Sequence, residues 1–305
     1  MTAPPPRIVA VVGPTAAGKS AVALDLAQRL GAEIVAVDAF TIYRGMDIGT
    51  ATPTPAERAA VPHHLINELE PERDCSARWF QQRARQVVDE VRGRGRDVVL
   101  VGGSGLYFRA VVDPLEFPPT DAAVRAAVDA RHPDAASAYA ALASADPDAA
   151  ARSDPANRRR AVRALEVLEL TGRPFSQWRR GWERFASVYP GLEVIGLEVP
   201  RAVLWDRITA RVDGMLAAGV LEEAAALRGR RLSRTAAAAI GYAELFDVLA
   251  GQSSVDEARE RIIVRTRRYA ARQQRWFSRD PRVRWISSTD VVAAHAGHEG
   301  SSTHR

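Results

Sequence analysis

The sequence predicts an α/β fold, in which helices flank a mostly parallel sheet and an all-helical domain is inserted between its strands. Short β-branched runs alternate with segments of helical periodicity, which is typical of parallel sheets. Between residues 118 and 186, prolines and alanine-rich helical segments occur without any strand pattern. We therefore expect a discontinuous core domain (residues 7–117 and 187–287), a helical insertion domain (118–186) and a disordered tail (288–305).

Composition narrows the class of protein. The chain has 305 residues, of which nearly half are hydrophobic and a quarter are charged, as in an ordinary soluble enzyme. Its net charge of +5 suggests a polyanionic partner but does not prove one. The single cysteine, Cys75, excludes an internal disulfide and predicts a structural thiol in a reducing cytoplasm. No apolar run approaches membrane-spanning length, so we expect no membrane partner.

A glycine-rich loop follows the first predicted strand, Ile8–Val12, and precedes a predicted helix over residues 21–30. It fits the P-loop pattern G-x-x-x-x-G-K-[ST], whose backbone N–H groups and helix N-terminus surround an anion. Lys19 adds a positive charge, and the Ser20 hydroxyl can ligate Mg²⁺. A P-loop NTPase-like fold with a phosphate or pyrophosphate site follows. The motif residues are Gly13, Pro14, Thr15, Ala16, Ala17, Gly18, Lys19 and Ser20.

Lys19 is the only lysine among the 42 basic residues, and all the others are arginines. A compact ammonium on a flexible stem suits a phosphate-binding loop, and a planar guanidinium is not equivalent to it. The alternative is a chance match in a glycine-containing turn. The flanking strand and helix, together with this isolated lysine, argue against that alternative.

Two further predicted strands end in candidate site residues. The strand over residues 33–37 ends at Asp38, and the strand over residues 97–101 runs into Gly102-Gly103-Ser104-Gly105. Because the carboxyl ends of parallel strands line the ligand crevice, we favour a functional Asp38 over a simple turn aspartate. The glycines indicate either a tight turn or a close approach of the backbone to a ligand, with the Ser104 hydroxyl available.

The segment between residues 39 and 67 has few periodic signals, and we expect ordered loops over the crevice, including residues 62–66. The adjacent His63 and His64 have no third ligand at metal spacing, so we reject a metal site there. Downstream, Ser76 is placed to cap a helix that ends near Arg92.

Two predicted helices in the second half of the chain carry arginines on one face. Arg207 and Arg211 lie one turn apart on a predicted helix that begins near Arg201. A long helix over residues 255–279 carries arginines at alternating steps of four and three, which form one stripe. A solvated face and a phosphate-contacting face explain this stripe equally well. The stripe residues are Arg261, Arg265, Arg268, Arg272 and Arg275. Strands are predicted at residues 192–199 and 283–286.

These residues leave three functional classes open. The first is a kinase that moves a γ-phosphoryl group, and the second is a transferase in which the P-loop holds a departing pyrophosphate. The third is a non-catalytic switch that binds nucleic acid. The sequence argues against a GTPase, because the Asn-Lys-x-Asp signature that specifies guanine requires a second lysine.

Several segments together resemble the tRNA dimethylallyltransferase (tRNA isopentenyltransferase) family. The P-loop matches that family, and so do Val37-Asp38 with residues 42–51, which form its most specific segment, and residues 62–66. Residues 101–107 are similar to its Val-Gly-Gly-Thr segment. Further matches at residues 163–167, 207–216, 240–242 and 266–273 extend the resemblance over about residues 8–277.

The resemblance implies transfer of a dimethylallyl group from dimethylallyl pyrophosphate to the N6 amine of the adenosine 3′-adjacent to the tRNA anticodon. It implies that Asp38 is the general base, that Ser104 supports it by hydrogen bonding, and that Arg211 adds charge as the carbon–oxygen bond breaks. The P-loop and a Mg²⁺ cofactor, ligated by Ser20, would hold the pyrophosphate. A closed cleft would exclude water from the allylic carbon.

The resemblance also implies contacts with tRNA. These fall on Asp38, Ala39, Phe40, Thr41, Ser104, Arg125, Arg159, Arg160, Ala161, Val162, Arg163, Ala238, Ala239, Ile240, Gly241, Tyr242 and Ala243. Three positions depart from the family pattern, since Ala39 replaces a serine, Asn67 an aspartate and Ala243 a basic residue. A prenyltransferase acting on free adenine nucleotides is the closest alternative, although the long insertion favours a macromolecular acceptor. We expect a cytoplasmic monomer.

Overall fold

The computed structural model describes residues 5–178 and 181–287, which form two compact units. The first unit contains the chain up to Val112 and again from Ser187, and the second runs from Asp113 to Ala186. The tail predicted to be disordered, residues 288–305, lies outside the described residues.

The first unit is built on a sheet whose six described strands are all parallel, in the order β3-β2-β4-β1-β5-β6. The predicted α/β fold with a parallel sheet is therefore confirmed. The strands are β1 (Ile8–Val12), β2 (Glu33–Ala36), β3 (His63–His64), β4 (Val98–Gly102), β5 (Glu193–Glu198) and β6 (Val283–Ser287).

Helices connect these strands in the first unit. Before the second unit they are α1 (Lys19–Leu30), α2 (Asp47–Thr50), α3 (Pro55–Ala60), α4 (Ala77–Gly93) and α5 (Gly105–Val112). After it they are α11 (Arg201–Ala217), α12 (Val220–Leu227), α13 (Tyr242–Leu249) and α14 (Val255–Phe277), and a short 3₁₀ helix spans Ala236–Ala238. The predicted Ser76 cap of α4 is confirmed, because its Oγ accepts a hydrogen bond from the Trp79 N–H at 3.2 Å.

Both faces of the sheet are buried, which explains why its strands read as continuous apolar runs. In β1, Ala10 and Val12 point into a core shared with α4 and α5, while Val11 points into a second core with Ala23 and Ala27 of α1. Helices therefore cover the sheet on both sides.

The carboxyl ends of three neighbouring strands meet at one edge of the sheet. Val12 of β1 is in register with Gly102 of β4, and Ala36 of β2 is in register with Val101. The P-loop, Asp38 and the glycine turn after β4 all leave the sheet at this edge. Strand register thus brings together segments that lie far apart in the sequence.

One prediction about the connecting loops is wrong. His63 and His64, expected in a loop, form the edge strand β3, which pairs with Ile34 and Val35. A strand of two residues is too short to show a period in the sequence. The His64 Nε2 lies 2.7 Å from the Glu33 carboxylate, so this histidine stabilises the pairing of β3 with β2 at the edge of the sheet.

Within its described residues, 113–178 and 181–186, the second unit contains helices and no strand. Its helices are α6 (Ala122–Arg131), α7 (Ala135–Ala145), α8 (Pro147–Ala151), α9 (Arg158–Thr171) and α10 (Phe175–Trp178). Small residues such as Ala138 and Ala161 pack with Val128 and Leu142 into a compact core. Asp121 and Asp134 cap α6 and α7 by accepting backbone hydrogen bonds. None of the described helices of either unit is long and apolar enough to cross a bilayer.

The strand register at the site edge predicts the effect of a single methyl group. A Cβ at Gly102 would lie 2.0 Å from the Val37 carbonyl oxygen, so Gly102→Ala forces neighbouring backbone apart. We expect a loss of about 1–3 kcal/mol of unfolding free energy, as for other overpacked sites. Urea denaturation measures it.

Gly93→Ala is the matched control. Gly93 ends α4, and nothing lies within 4 Å of a Cβ placed there. We expect this variant to unfold at an equal or slightly higher urea concentration than the wild type. Equal midpoints for the two variants would contradict the proposed clash at Gly102.

Candidate active site

A solvent-open cleft of about 1050 Å³ lies in the first unit, at the edge where the three strands end. Thr15, Lys19 and Ser20 of the P-loop line it together with Asp38 and Arg211. Phe40, Thr41, Ala239 and Ile240, four of the residues expected to contact tRNA, line the same cleft. The structure thus gathers nine of the first unit's twenty predicted site residues in one cleft.

The P-loop backbone adopts the shape of an anion-binding nest. Gly13, Ala16 and Gly18 have φ values of +142°, +62° and +92°. Gly18 is also the N-cap residue of α1, and no side chain caps that helix. Its first N–H groups therefore remain available to a bound anion, which the helix dipole favours.

Lys19 places its ammonium inside the cleft, where the Nζ donates a hydrogen bond to the Pro14 carbonyl at 2.8 Å. Burial and the nearby Arg211 charge lower the pKa of Lys19 to about 8, against an opposing effect of Asp38. Arg211, on α11, is partly buried, and burial lowers its pKa while Asp38 again opposes the shift. The Arg211 charge disfavours the protonated form of Lys19, and an anionic ligand beside the two cations would offset that effect.

Asp38 is the only carboxylate among the described residues that line the cleft. Its Oδ1 accepts a hydrogen bond from the Phe40 N–H at 2.8 Å, which orients the carboxyl group. Its Oδ2 has no hydrogen-bond partner within the described part of the chain. An oriented carboxylate with one unengaged oxygen can accept a proton from a bound substrate.

The cleft has an apolar side as well as a charged one. Val212 and Met215 line it from α11, one turn or less from Arg211, and Ile240 and Ile262 line it from the last part of the chain. Phe40 and Ile66 complete this apolar lining. Space for an anion and space for a small hydrocarbon therefore lie in one cleft.

Ser104 differs from the other catalytic candidates. Gly102 and Gly103 line the cleft, but Ser104 does not. Its backbone carbonyl accepts the Phe108 N–H at 2.8 Å, in the first turn of α5. Nothing in the geometry of this structure brings its hydroxyl to Asp38.

The glycines after β4 make room for protein rather than for a ligand. A Cβ at Gly103 would lie 2.2 Å from the Gln273 Nε2, and one at Gly105 would lie 1.8 Å from the Trp276 ring. Both of those side chains belong to α14. The sequence left open a tight turn or a close approach to a ligand, whereas the close approach in the structure is to α14, which neither explanation named.

Sequence reasoning missed the cleft residues of α14. Thr266, Tyr269 and Gln273 line the cleft, and their spacing of three and four residues places them on one helical face. That spacing was a signal available in the sequence, but the arginine stripe on the same helix was the stronger pattern. Burial and the nearby Asp38 charge raise the pKa of Tyr269, so its hydroxyl stays protonated beside Asp38.

The arginines of α14 divide into two groups. Arg261 pairs with Asp247 at 2.9 Å, and Arg265 pairs with the buried Glu244. Arg268, Arg272 and Arg275 are exposed and have no carboxylate partner among the described residues. Only the second half of the stripe is therefore a cationic surface.

The second unit separates its predicted contact residues into exposed and buried ones. Arg159 and Arg160 are exposed at the start of α9. The following Ala161 and Val162 are buried in the core of that unit. Arg125 and Arg163 both pair with the fully buried Glu166, at 2.8 and 2.9 Å.

Comparisons with known proteins point to one family. A family model described as IPP transferase matches residues 41–280, beginning just after Asp38. A tRNA dimethylallyltransferase of Streptomyces coelicolor is 50% identical over 293 residues, covering 94% of this chain and 92% of that protein. Another, of Kocuria rhizophila, is 51% identical over 287 residues, covering 93% and 90%.

Solved structures are similar as well. A full-length tRNA isopentenylpyrophosphate transferase of Bacillus halodurans aligns with a TM-score of 0.68 at 37% identity, covering 96% of both chains. A eukaryotic dimethylallyltransferase acting on tRNA aligns with a TM-score of 0.79 over 94% of this chain and 75% of that one. Its identity is 23%, so it supports the fold alone.

The buried ammonium predicts an unusual titration. Because Lys19 is the only lysine, protein grown with ¹³Cε-labelled lysine should show one side-chain resonance. We expect this resonance to titrate near pH 8 rather than at the usual 10.5. Since the protonated form attracts anions, saturating pyrophosphate should move the midpoint upward, and affinity should fall as the pH rises through 8.

Arg211→Met serves as the comparison in this titration. Removing the neighbouring positive charge should raise the Lys19 midpoint, because Arg211 lowers the Lys19 pKa. A wild-type midpoint near 10.5, or one unchanged by pyrophosphate, would show that the ammonium does not lie in the anion site.

Proposed function

The chain belongs to the IPP transferase family, and from this premise we propose that it transfers a dimethylallyl group from dimethylallyl pyrophosphate to tRNA. The acceptor in this proposal is the N6 amine of the adenosine 3′-adjacent to the anticodon. One observation carries the proposal: an anion site, an unengaged carboxylate oxygen and an apolar wall share one cleft. These are the three elements that prenyl transfer to an amine requires.

Asp38 is the general base of this mechanism. As the adenosine N6 forms a bond with the allylic carbon, the bond from that carbon to the pyrophosphate oxygen breaks, and its electron pair leaves with pyrophosphate. The proton lost by N6 passes to the Asp38 carboxylate. The Phe40 N–H holds one carboxylate oxygen and leaves the other to receive this proton.

The departing pyrophosphate needs strong charge stabilisation, because an exocyclic amine is a weak nucleophile. Lys19 and Arg211 supply buried positive charge on the cleft wall. The P-loop N–H groups supply further donors that are already oriented before the ligand binds. Burial strengthens each of these interactions, because the surrounding medium screens them less than water does.

We infer that Mg²⁺ accompanies the pyrophosphate, with Ser20 as its protein ligand. Ser20 lines the cleft at the start of α1, and no cluster of three metal-binding side chains occurs within the described ranges. This fits Mg²⁺, which keeps several waters and binds through few protein oxygens plus substrate phosphates. When bound, the ion would neutralise charge on the leaving group.

The apolar wall of the cleft fits the dimethylallyl part of the donor. Met215, Ile240 and Ile262 offer methyl and methylene groups to a dimethylallyl chain and exclude water from the reacting carbon. Thr41, on the same cleft, has a buried hydroxyl without a partner among the described residues. In this proposal the hydroxyl is satisfied by the bound adenosine.

The tRNA contacts proposed in the second unit are Arg159 and Arg160, whose side chains are exposed. Arg125 and Arg163 contribute positive charge to tRNA binding, because the two of them pair with a single carboxylate, Glu166. Ala161 and Val162 contribute through their backbone, because their side chains are buried. In the first unit, residues 238–243 lie beside the cleft, and Ala239 and Ile240 line it. We place the protein in the cytoplasm, where it acts as a monomer.

A direct assay tests the proposal. The purified protein is incubated with labelled dimethylallyl pyrophosphate, Mg²⁺ and unmodified tRNA, and the labelled nucleotide is identified. We expect label on the adenosine beside the anticodon, and chelation of Mg²⁺ should suppress it. Transfer to free AMP at micromolar concentrations would instead support a nucleotide prenyltransferase, and ATP turnover without prenyl donor would support a kinase.

Asp38→Ala separates chemistry from binding. We expect transfer to fall by about 10²-fold or more, the usual contribution of a general base. The affinity for tRNA should stay nearly unchanged, since phosphate contacts dominate it. Label transfer and a tRNA filter-binding assay measure the two quantities.

Asp256→Asn is the control, because Asp256 is exposed in the first turn of α14 and does not line the cleft. It should retain wild-type transfer. Weak tRNA binding with undamaged transfer in Asp38→Ala would overturn the assignment of Asp38 as the base.

Arg159→Ala with Arg160→Ala tests the proposed tRNA surface. We expect weaker tRNA binding and a salt dependence of log K that is reduced by about one for each phosphate that the variant no longer neutralises. The KM for dimethylallyl pyrophosphate should not change. Titration of tRNA at several salt concentrations measures the slope.

Arg131→Ala is a control on the same unit, since Arg131 already pairs with Glu169. If Arg131→Ala reduces the slope as much as the double variant does, binding depends on overall charge and not on the start of α9.

A further inference from the structure

Gln273 lies in the last part of α14 with only 5% of its surface exposed, and it faces the cleft. Its Oε1 accepts a hydrogen bond from the Thr15 N–H of the P-loop at 2.8 Å. Its Nε2 donates a hydrogen bond to the Gly103 carbonyl, after β4, at 2.9 Å. One side chain therefore joins two loops that leave neighbouring strands of the sheet.

We propose that Gln273 is a positioning residue that holds the P-loop in its anion-binding shape by hydrogen-bonding both to that loop and to the glycine turn after β4. The inference rests on the proposed function, because it concerns binding of the pyrophosphate part of the donor. Gln273 acts through Thr15 and Gly103 and forms no bond with the reacting atoms.

The chemistry of the amide suits this task. A glutamine offers one acceptor and two donors on the same group, so it can bind an N–H on one loop and a carbonyl on the other. The two bonds that join the loops are made to backbone groups, which do not change with the side chains of the loops. Neither a carboxylate nor an apolar side chain can make both bonds.

The steric fit supports the same conclusion. The Gly103 backbone passes so close to Gln273 that a Cβ there would lie 2.2 Å from the Nε2. Two residues later, the Trp276 ring approaches Gly105 in the same way. The turn after β4 and the end of α14 therefore fit against each other, and the amide has little freedom to leave its two partners.

The position of these two hydrogen bonds explains why Gln273 affects anion binding. Thr15 lies between Gly13 and Ala16, two residues of the loop with positive φ. Because Gln273 already accepts a hydrogen bond from the Thr15 N–H, the loop is held before any ligand arrives. Preorganised donors bind an anion more tightly than donors that must first be ordered.

Two substitutions test the role of the Gln273 hydrogen bonds. Gln273→Met keeps the length of the side chain without either hydrogen bond, and Gln273→Glu keeps the acceptor but loses the donor. Isothermal titration with inorganic pyrophosphate and Mg²⁺ measures the anion site without any transfer. We expect about tenfold weaker pyrophosphate binding for Gln273→Met, the effect of losing two buried hydrogen bonds. Gln273→Glu should weaken binding further, because its carboxylate also repels the anion.

Steady-state transfer then provides a second readout. The KM for dimethylallyl pyrophosphate should rise by a similar factor, while the KM for tRNA stays within about twofold of the wild-type value. Gly103→Ala should give the same pattern, because its methyl group displaces the amide while Gln273 itself remains. It also keeps the proposal testable if Gln273→Met does not fold.

Gln274→Met is the matched control. Gln274 is the next residue on the same helix, is half-buried and does not line the cleft. It should bind pyrophosphate as the wild type does.

The outcomes distinguish this inference from the proposed function. Unchanged pyrophosphate binding in Gln273→Met and Gly103→Ala, with only a lower melting temperature, would overturn the positioning role. A wild-type protein that binds pyrophosphate but transfers no prenyl group would overturn the proposed function, while the titration would still test Gln273.

Discussion

Two partly buried cations share one cleft with a single carboxylate, and the site depends on this excess of positive charge. Lys19 and Arg211 each lose solvation on burial, and the Arg211 charge also disfavours the protonated form of Lys19. Asp38 offsets the repulsion only in part. Such a cleft attracts an anion, because a bound anion offsets the unfavourable free energy of holding two positive charges close together and partly out of water. The same pair of charges then stabilises the negative charge of a departing pyrophosphate.

Backbone shape matters as much as charge. The P-loop presents N–H groups through left-handed residues, and the parallel sheet brings that loop beside Asp38 and the turn after β4. Gln273 holds the loop and the turn together, where α14 fits against glycines. The donors of the site are thus oriented by the fold and need little reorganisation when a ligand binds.

The second unit uses its charges in two ways. Arg125 and Arg163 pair with a carboxylate that is entirely buried, Glu166, so their geometry is held by the core of that unit. Arg159 and Arg160 remain exposed. An arginine-rich sequence therefore serves both to stabilise this unit and to present positive charge to a polyanion, and burial separates the two roles.

Local patterns in the sequence determined the parallel α/β class, the P-loop, the helix capped by Ser76 and the candidate role of Asp38. Each depends on neighbouring residues or on the ends of strands, so a short window of sequence contains the signal. The edge strand β3 was missed because two residues show no period.

Only the tertiary structure decided which distant residues complete the cleft. It placed Tyr269 and Gln273 of α14 beside the P-loop, assigned Gly103 and Gly105 to helix packing, and left Ser104 outside the cleft lining. It also separated the paired arginines from the unpaired ones. These outcomes depend on segments that lie far apart in the sequence, as in the bond from Thr15 to Gln273, which spans 258 positions. Periodicity within one helix can show which residues share a face, but the packing of the whole chain determines what that face contacts.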